Sequence, residues 1–192
     1  MKDQDDIYHV QRILAGNTAS FAYLVNRHKD MAFTIAFKIV RNREDAEEIA
    51  QDAFVKAYQS LRSFKGESKF STWLYRIVYN AAISHTRRHR FEFTVLDEAM
   101  TGNITEDEIF GSLDVMDPEE RSQLVTAAVD KLLPEESALV SLFYMEDNSI
   151  EDISQITGLS VSNVKVRLHR IRRKLYDSLQ PKMAGTEMAQ MM

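Results

Sequence analysis

Residues 149–175 read SIEDISQITGLSVSNVKVRLHRIRRKL, and the spacing within this stretch decides the fold. Ser149 is a helix N-cap, with Asp152 placed three residues on, where a capping carboxylate belongs. Ile150, Ile153 and Ile156 recur at helical spacing and predict one buried face. Gly158 breaks that helix, and Leu159 packs the turn. Ser160 caps a second helix with Val161, Val164, Leu168, Ile171 and Leu175 inside. The small Ser154, four residues before the glycine, and Val164, six after it, let the two helices cross closely. Two short helices joined by a three-residue glycine-containing turn form a helix-turn-helix. The second helix carries Ser162, Asn163, Lys165, Arg167, His169, Arg170, Arg173 and Lys174 on its outer face. In this motif the N-terminal part of the second helix meets base edges, and nearby cations grip phosphates. Ser162, Asn163 and Lys165 are therefore expected at base edges, and Arg167, Arg170 and Arg173 at phosphates. The competing reading is a solvated basic face in an ordinary bundle. The turn, the caps and six Lys/Arg within residues 165–174 favour DNA.

Outward from this motif, helical patterns fill the rest of both halves of the chain. Asp117-Pro118-Glu119-Glu120 announces a helix, with Asp117 as N-cap and proline at the first helical position. Leu124, Val125, Ala128 and Leu132 form its apolar face, and Pro134 opens another helix with Leu139, Leu142 and Phe143 inside. In the first half, a short helix near Ile7 to Leu14 stops at Gly16. Phe21, Leu24, Val25, His28, Ala32, Ile35, Ala36 and Ile39 share one helix face. Asn42 caps the next helix, whose buried stripe is Ala46, Ile49, Ala50, Ala53, Phe54, Ala57, Tyr58 and Leu61. Residues 62–71 read as a loop around Gly66, and Trp73, Leu74, Ile77, Val78 and Ala81 as the stripe of a fourth helix. The expected architecture is all-α: two small helical domains, 1–90 and 119–180, joined by a flexible acidic linker over 91–118. A helical turn is expected around Glu106 to Phe110, and 181–192 reads as a disordered tail with no pattern.

Composition agrees and narrows the function. The 192 residues include 6 Gly, 3 Pro and no Cys, which excludes a disulfide scaffold, a thiol nucleophile and a Cys-ligated zinc finger. No signal peptide opens the chain and no apolar stretch reaches about 18 residues, so the expected location is the cytoplasm, with no direct membrane insertion. The net charge of -5 conceals blocks. Residues 1–90 carry 15 Lys/Arg against 10 Asp/Glu, and 158–192 carry 7 against 2. Residues 91–118 carry 8 acids and no Lys or Arg, and 119–157 carry 9 acids against 2 bases. Two basic segments thus flank acidic ones, and such local fields steer a polyanion more than the total charge does.

Two further faces stand out. Opposite the stripe of the fourth helix lie Thr72, Tyr75, Arg76, Tyr79, Asn80, Ile83 and Arg87. Aromatics interleaved with Arg and Asn suit single-stranded nucleic acid, with bases stacked on rings and cations on the backbone. Equally, the tyrosines roof an amphipathic helix with hydroxyls in water, and periodicity does not decide between the two. His85 and His89 have metal-ligand spacing, but Arg87, Arg88 and Arg90 around them repel a cation, so no metal is expected. The acidic face of Glu44, Asp45, Glu48, Gln51, Asp52 and Val55 is either a solvated surface or a protein interface. No catalytic set, and no cofactor motif, emerges.

These residues resemble a known family. Asn17 to Phe21, Arg43 to Phe54, Phe64-Lys65-Gly66, and Phe70 to Ile77 with Asn80 are similar to the first conserved domain of bacterial sigma factors. Leu133-Pro134 and Ile150 to Arg173 are similar to the helix-turn-helix domain of the same proteins, and the short length resembles the extracytoplasmic-function (ECF) group. The resemblance implies a dissociable subunit of bacterial core RNA polymerase that is not an enzyme. It implies that Asp45, Glu48, Gln51 and Asp52 dock on the clamp helices of the largest polymerase subunit, with a further contact at the flap region. It implies that Phe64, Lys65, Gly66, Phe70, Trp73, Tyr75, Arg76, Tyr79, Asn80 and Arg87 read and melt the -10 element as single strands. Duplex -35 DNA would meet Ser160, Ser162, Asn163, Lys165, Arg167, His169, Arg170 and Arg173. The linker's charge is consistent with mimicry of RNA phosphates in the polymerase, though acidic linkers also arise merely for solubility, and an anti-sigma factor is an implied partner. Tyr79, Ser154 and Ser160 depart from the family's commoner small residue, Ala and Pro. The rival readings are a stand-alone helix-turn-helix regulator with an N-terminal sensing or dimerising domain, and a helical enzyme or scaffold whose basic helix is incidental. The first predicts duplex binding without polymerase, and the second predicts no salt-dependent DNA affinity.

Overall fold

The computed structural model describes residues 2–89, 117–145 and 148–190. The acidic stretch expected to link two domains lies outside these residues except for Asp117 and Pro118, and so does the expected turn at Glu106 to Phe110. Four helices form the first half: α1 (Lys2–Leu14), α2 (Phe21–Val40), α3 (Arg43–Ser60) and α4 (Phe70–His89). Four form the second: α5 (Pro118–Asp130), α6 (Pro134–Met145), α7 (Ile150–Thr157) and α8 (Val161–Gln190). Short 3-10 turns at Thr18–Ser20 and Leu61–Ser63 tighten two of the connections.

The helix boundaries follow the local chemistry. α1 ends at Leu14, and the chain turns away at Gly16, whose φ of 101° favours glycine. The Asn42 side chain accepts the Asp45 N–H at the start of α3. Asp117 accepts from the Glu119 and Glu120 N–H groups, ahead of Pro118. α8 runs through Pro181 to Gln190, past the point where the sequence pattern stops.

In the first half, α2 lies against α3 and α4. Leu24, Ala32, Ile35, Ala36 and Ile39 of α2 and Ala46, Ala50, Ala53 and Ala57 of α3 are all buried, and the run of small side chains on α3 allows close approach. α1 is tied on by a buried polar link: His28 Nε2 bonds Asp6 Oδ2 at 2.9 Å, and its Nδ1 bonds the Tyr75 hydroxyl at 3.1 Å. The Arg27 guanidinium lies 3.2 Å from Asp6 on the other side.

In the second half, the middle of α6 is buried all round. Ser137, Ala138, Leu139, Val140, Ser141 and Leu142 are consecutive and all buried. A helix without a wet face must be surrounded, and α6 meets α5, α7, α8 and also α2 of the first half. Its serines are satisfied internally, Ser137 Oγ donating to the Val129 carbonyl and Ser141 Oγ to that of Ser137.

The two halves therefore share one hydrophobic cluster, built where α2 meets α6 and where α4 meets α7. Polar ties rim this junction. Lys38 Nζ lies 3.0 Å from Asp130, and the Arg41 guanidinium donates to the Leu132 carbonyl. Asp152 Oδ2 accepts from Lys69 Nζ at 2.9 Å, and its Oδ1 accepts from Thr72 Oγ1 at 3.0 Å.

Candidate nucleic-acid interface

The helix-turn-helix forms as its residues dictate. Ser149 Oγ accepts the Asp152 N–H at 3.0 Å, and Asp152 Oδ2 accepts the Ser149 N–H at 3.1 Å, closing a reciprocal capping box. Gly158 ends α7 at φ 76° and donates its N–H to the Ser154 carbonyl. The Ser154 hydroxyl then donates across the turn to the Leu159 carbonyl at 2.6 Å. Ser160 Oγ accepts the Asn163 N–H at 3.3 Å and starts α8. Val164, Leu168 and Ile171 point inward and are almost fully buried. Val161, expected inside, is 36% exposed, because the first turn of α8 projects beyond the core.

Ser162, Asn163, Lys165 and Arg170 lie on the exposed side of α8. His169 is half-buried rather than fully outward. Arg167 turns back: its Nε donates to Asn163 Oδ1 at 3.2 Å and its Nη1 to Glu135 Oε2 at 3.2 Å. Lys174 pairs with Glu136 at 2.6 Å, and Arg173 lies 3.6 Å from Asp177. Acids at the start of α6 thus hold part of the basic helix in place, while its N-terminal half stays open to solvent.

The α4 region departs from the sequence expectation. The wet face drawn through Thr72, Tyr75 and Tyr79 is a buried face, with Tyr75 at 0% exposure and Tyr79 at 7%. Tyr75 is a core residue of the first half, its hydroxyl held by His28, and it offers no ring to a base. Tyr79 is covered by the second half, which a reading of α4 in isolation leaves out. Burial first, and then the Glu135 charge, push the Tyr79 phenol up to about 12, against the opposing pull of Arg167 and Arg87. Arg76, Asn80 and Arg87 are exposed as expected. Phe64, Phe70 and Trp73 gather into one aromatic cluster, with ring centroids 5.4 to 5.9 Å apart. Phe70 is fully buried, Phe64 and Trp73 are half-buried, and Lys65 and Gly66 are exposed in the loop above them.

On α3, Glu48, Gln51, Asp52 and Val55 share an exposed face, and Asp45 is half-buried with the His85 ring nitrogen 3.9 Å away. Val55 at 55% and Tyr58 at 41% exposure add an apolar margin to the acids. Tyr58 was expected inside. Sequence reasoning also missed Lys69 and the second role of Asp152. The burial of Asp152 opposes its charge, but hydrogen bonds from Lys69, Ser149 and Thr72 outweigh that cost and hold its carboxyl below the usual range. A capping carboxylate signals only its own helix, so nothing in the local pattern reveals a partner 83 residues away.

Two conserved domains match this chain: Sigma-70 region 2 over residues 24–92, and Sigma-70, region 4 over residues 122–175. The ECF RNA polymerase sigma factor SigW of Bacillus subtilis is 32% identical over 180 residues, covering 89% of this chain and 95% of SigW. This chain belongs to the ECF sigma factors. As an ECF sigma factor it is a transcription initiation factor that binds core RNA polymerase and promoter DNA. The fold agrees. The solved structure of CnrH in complex with the cytosolic domain of CnrY matches with a TM-score of 0.65 at 24% identity, over 92% of this chain and 98% of that one. The sigma factor RpoE of Bartonella quintana, solved in complex with the anti-sigma factor NepR, matches with a TM-score of 0.60 at 20% identity, over 83% and 96%. Among the described residues of this sigma factor, no helix is long and apolar enough to cross a membrane.

Proposed function

We propose that this sigma factor divides its work between three surfaces. The exposed N-terminal half of α8, presented by the α7–α8 turn, enters the major groove of the -35 element. The observation that carries this reading is the formed helix-turn-helix, capped at both helix starts, with Ser162, Asn163, Lys165 and Arg170 outward. The loop over Phe64 to Phe70 and the Arg76, Asn80 and Arg87 side of α4 bind the single-stranded -10 element. Tyr79 reaches a base only when the second half swings away from α4. The α3 face of Asp45, Glu48, Gln51 and Asp52 docks on core polymerase. The chain performs no catalytic step itself, and it works in the cytoplasm, where polymerase and chromosome are. An anti-sigma factor is a fitting partner, since the Bartonella relative is held by one.

The partition of surfaces is testable by two double variants. Arg76→Ala with Asn80→Ala is expected to abolish open-complex formation while leaving polymerase binding intact. Asp45→Arg with Gln51→Ala is expected to weaken polymerase docking at least tenfold. Loss of polymerase binding in the first pair, or unchanged docking in the second, overturns the assignment.

A further inference from the structure

Val166, on the outer side of α8, is explained by neither packing nor charge. Val166 is 48% exposed. It stands two residues from Val164 and two from Leu168, both buried, so it projects from the side opposite the core. Its neighbours on that side are Ser162, Asn163 and Arg170, all polar. Valine is a poor helix former, because its branched side chain loses rotamer freedom, so helix stability does not call for it there. The arrangement around it has a pattern. Short side chains, Ser162, Asn163 and Val166, occupy the first turns of this face, with the longer Lys165 at one edge and Arg170 one turn further along. A face of this kind lets the helix axis approach the groove floor while the long cations reach the backbone. In the major groove thymine presents a C5-methyl group, the apolar feature among the base-pair edges.

We propose that Val166 is a specificity residue that packs on a thymine methyl in the upstream promoter element. The proposal rests on the -35 reading of α8 given above. Asn163, one turn earlier, and Arg170, one turn later, set the register that brings the valine over that base.

The test uses the full chain assembled with core RNA polymerase. Upstream elements are first selected from a random duplex library. Each thymine of the selected element is then replaced singly by deoxyuridine, which removes the methyl and leaves base pairing intact. One position is expected at which the replacement weakens the wild-type holoenzyme about fourfold, the worth of one buried methyl group. Val166→Ala is expected to bind the thymine duplex more weakly by a similar factor and to be indifferent to deoxyuridine at that position. Arg170→Ala serves as the reference and is expected to weaken binding whether that position is thymine or deoxyuridine. A wild-type holoenzyme indifferent to every replacement, or a Val166→Ala holoenzyme that keeps the full penalty, overturns the proposal. If Arg170→Ala still weakens binding in that case, the -35 reading stands and the valine assignment alone has failed. If Arg170→Ala is also silent, the -35 reading has failed with it.

Discussion

At the scale of single residues, Asp152 links two kinds of stability. It closes the α7 capping box and also ties α7 to Lys69 and Thr72 of the first half. Asp152→Ala leaves the Ser149 cap in place but removes the N3 half of the capping box, a hydrogen bond worth about 0.5–1.5 kcal/mol, and charge-assisted bonds worth about 1.5–3 kcal/mol. A loss of roughly 2–4 kcal/mol is expected, measured as a fall in the urea midpoint at pH 7. The pH dependence has a definite sign. The folded-state pKa of Asp152 lies below its ordinary 3.8. Its contribution is therefore complete above that ordinary value and disappears as pH falls through the lower, folded-state value. Below that range, wild type and Asp152→Ala should converge in their charge-dependent part. An unchanged gap across the acid range would show that the carboxylate's charge does not matter. Tyr75 gives the opposite lesson. Helical periodicity places it outside the Trp73–Ala81 stripe, yet a buried His28–Asp6 pair on α2 and α1 receives its hydroxyl. Periodicity registers apolar faces and is blind to a polar partner inside the core.

At the scale of elements, α7, its turn and α8 are the most legible part of the chain. Each boundary there is fixed by a short-range rule: a Ser149–Asp152 box, a left-handed glycine and a Ser160 cap. Gly158→Ala should therefore be costly. At φ 76° a Cβ is strained, and nothing lies near enough to compensate. About 1–2 kcal/mol of destabilisation is expected, read from chemical denaturation, with weaker promoter binding as the α7–α8 crossing shifts. A neutral substitution would mean that the turn does not hold that crossing. The helices α2 and α3 were legible for the same reason, through cap and stripe. α4 was legible as a helix but not in its facing. It is buried on two sides, by α2 and α3 and by α7, so its apolar stripe is too wide for one face. α6 shows the extreme case: it was legible as a helix, but six consecutive buried residues leave no single buried face to pick out.

At the scale of the whole molecule, the decisive feature is that the two halves share a core. α2 against α6 and α4 against α7 bury surface that a reading by domains assigns to solvent, Tyr79 included. Long-range packing of this kind is set by complementary faces far apart in sequence, and no local rule announces it. The ECF family membership and the formed helix-turn-helix together make promoter opening the central activity. The measurement that tests this most directly is permanganate footprinting of genomic promoter fragments with core bacterial RNA polymerase and the purified chain, after a pull-down establishes their complex. A stable complex is expected, with reactive thymines near -10 only when both polymerase and this chain are present. Tight duplex binding by the chain alone, with no polymerase complex and no melted bases, would contradict it.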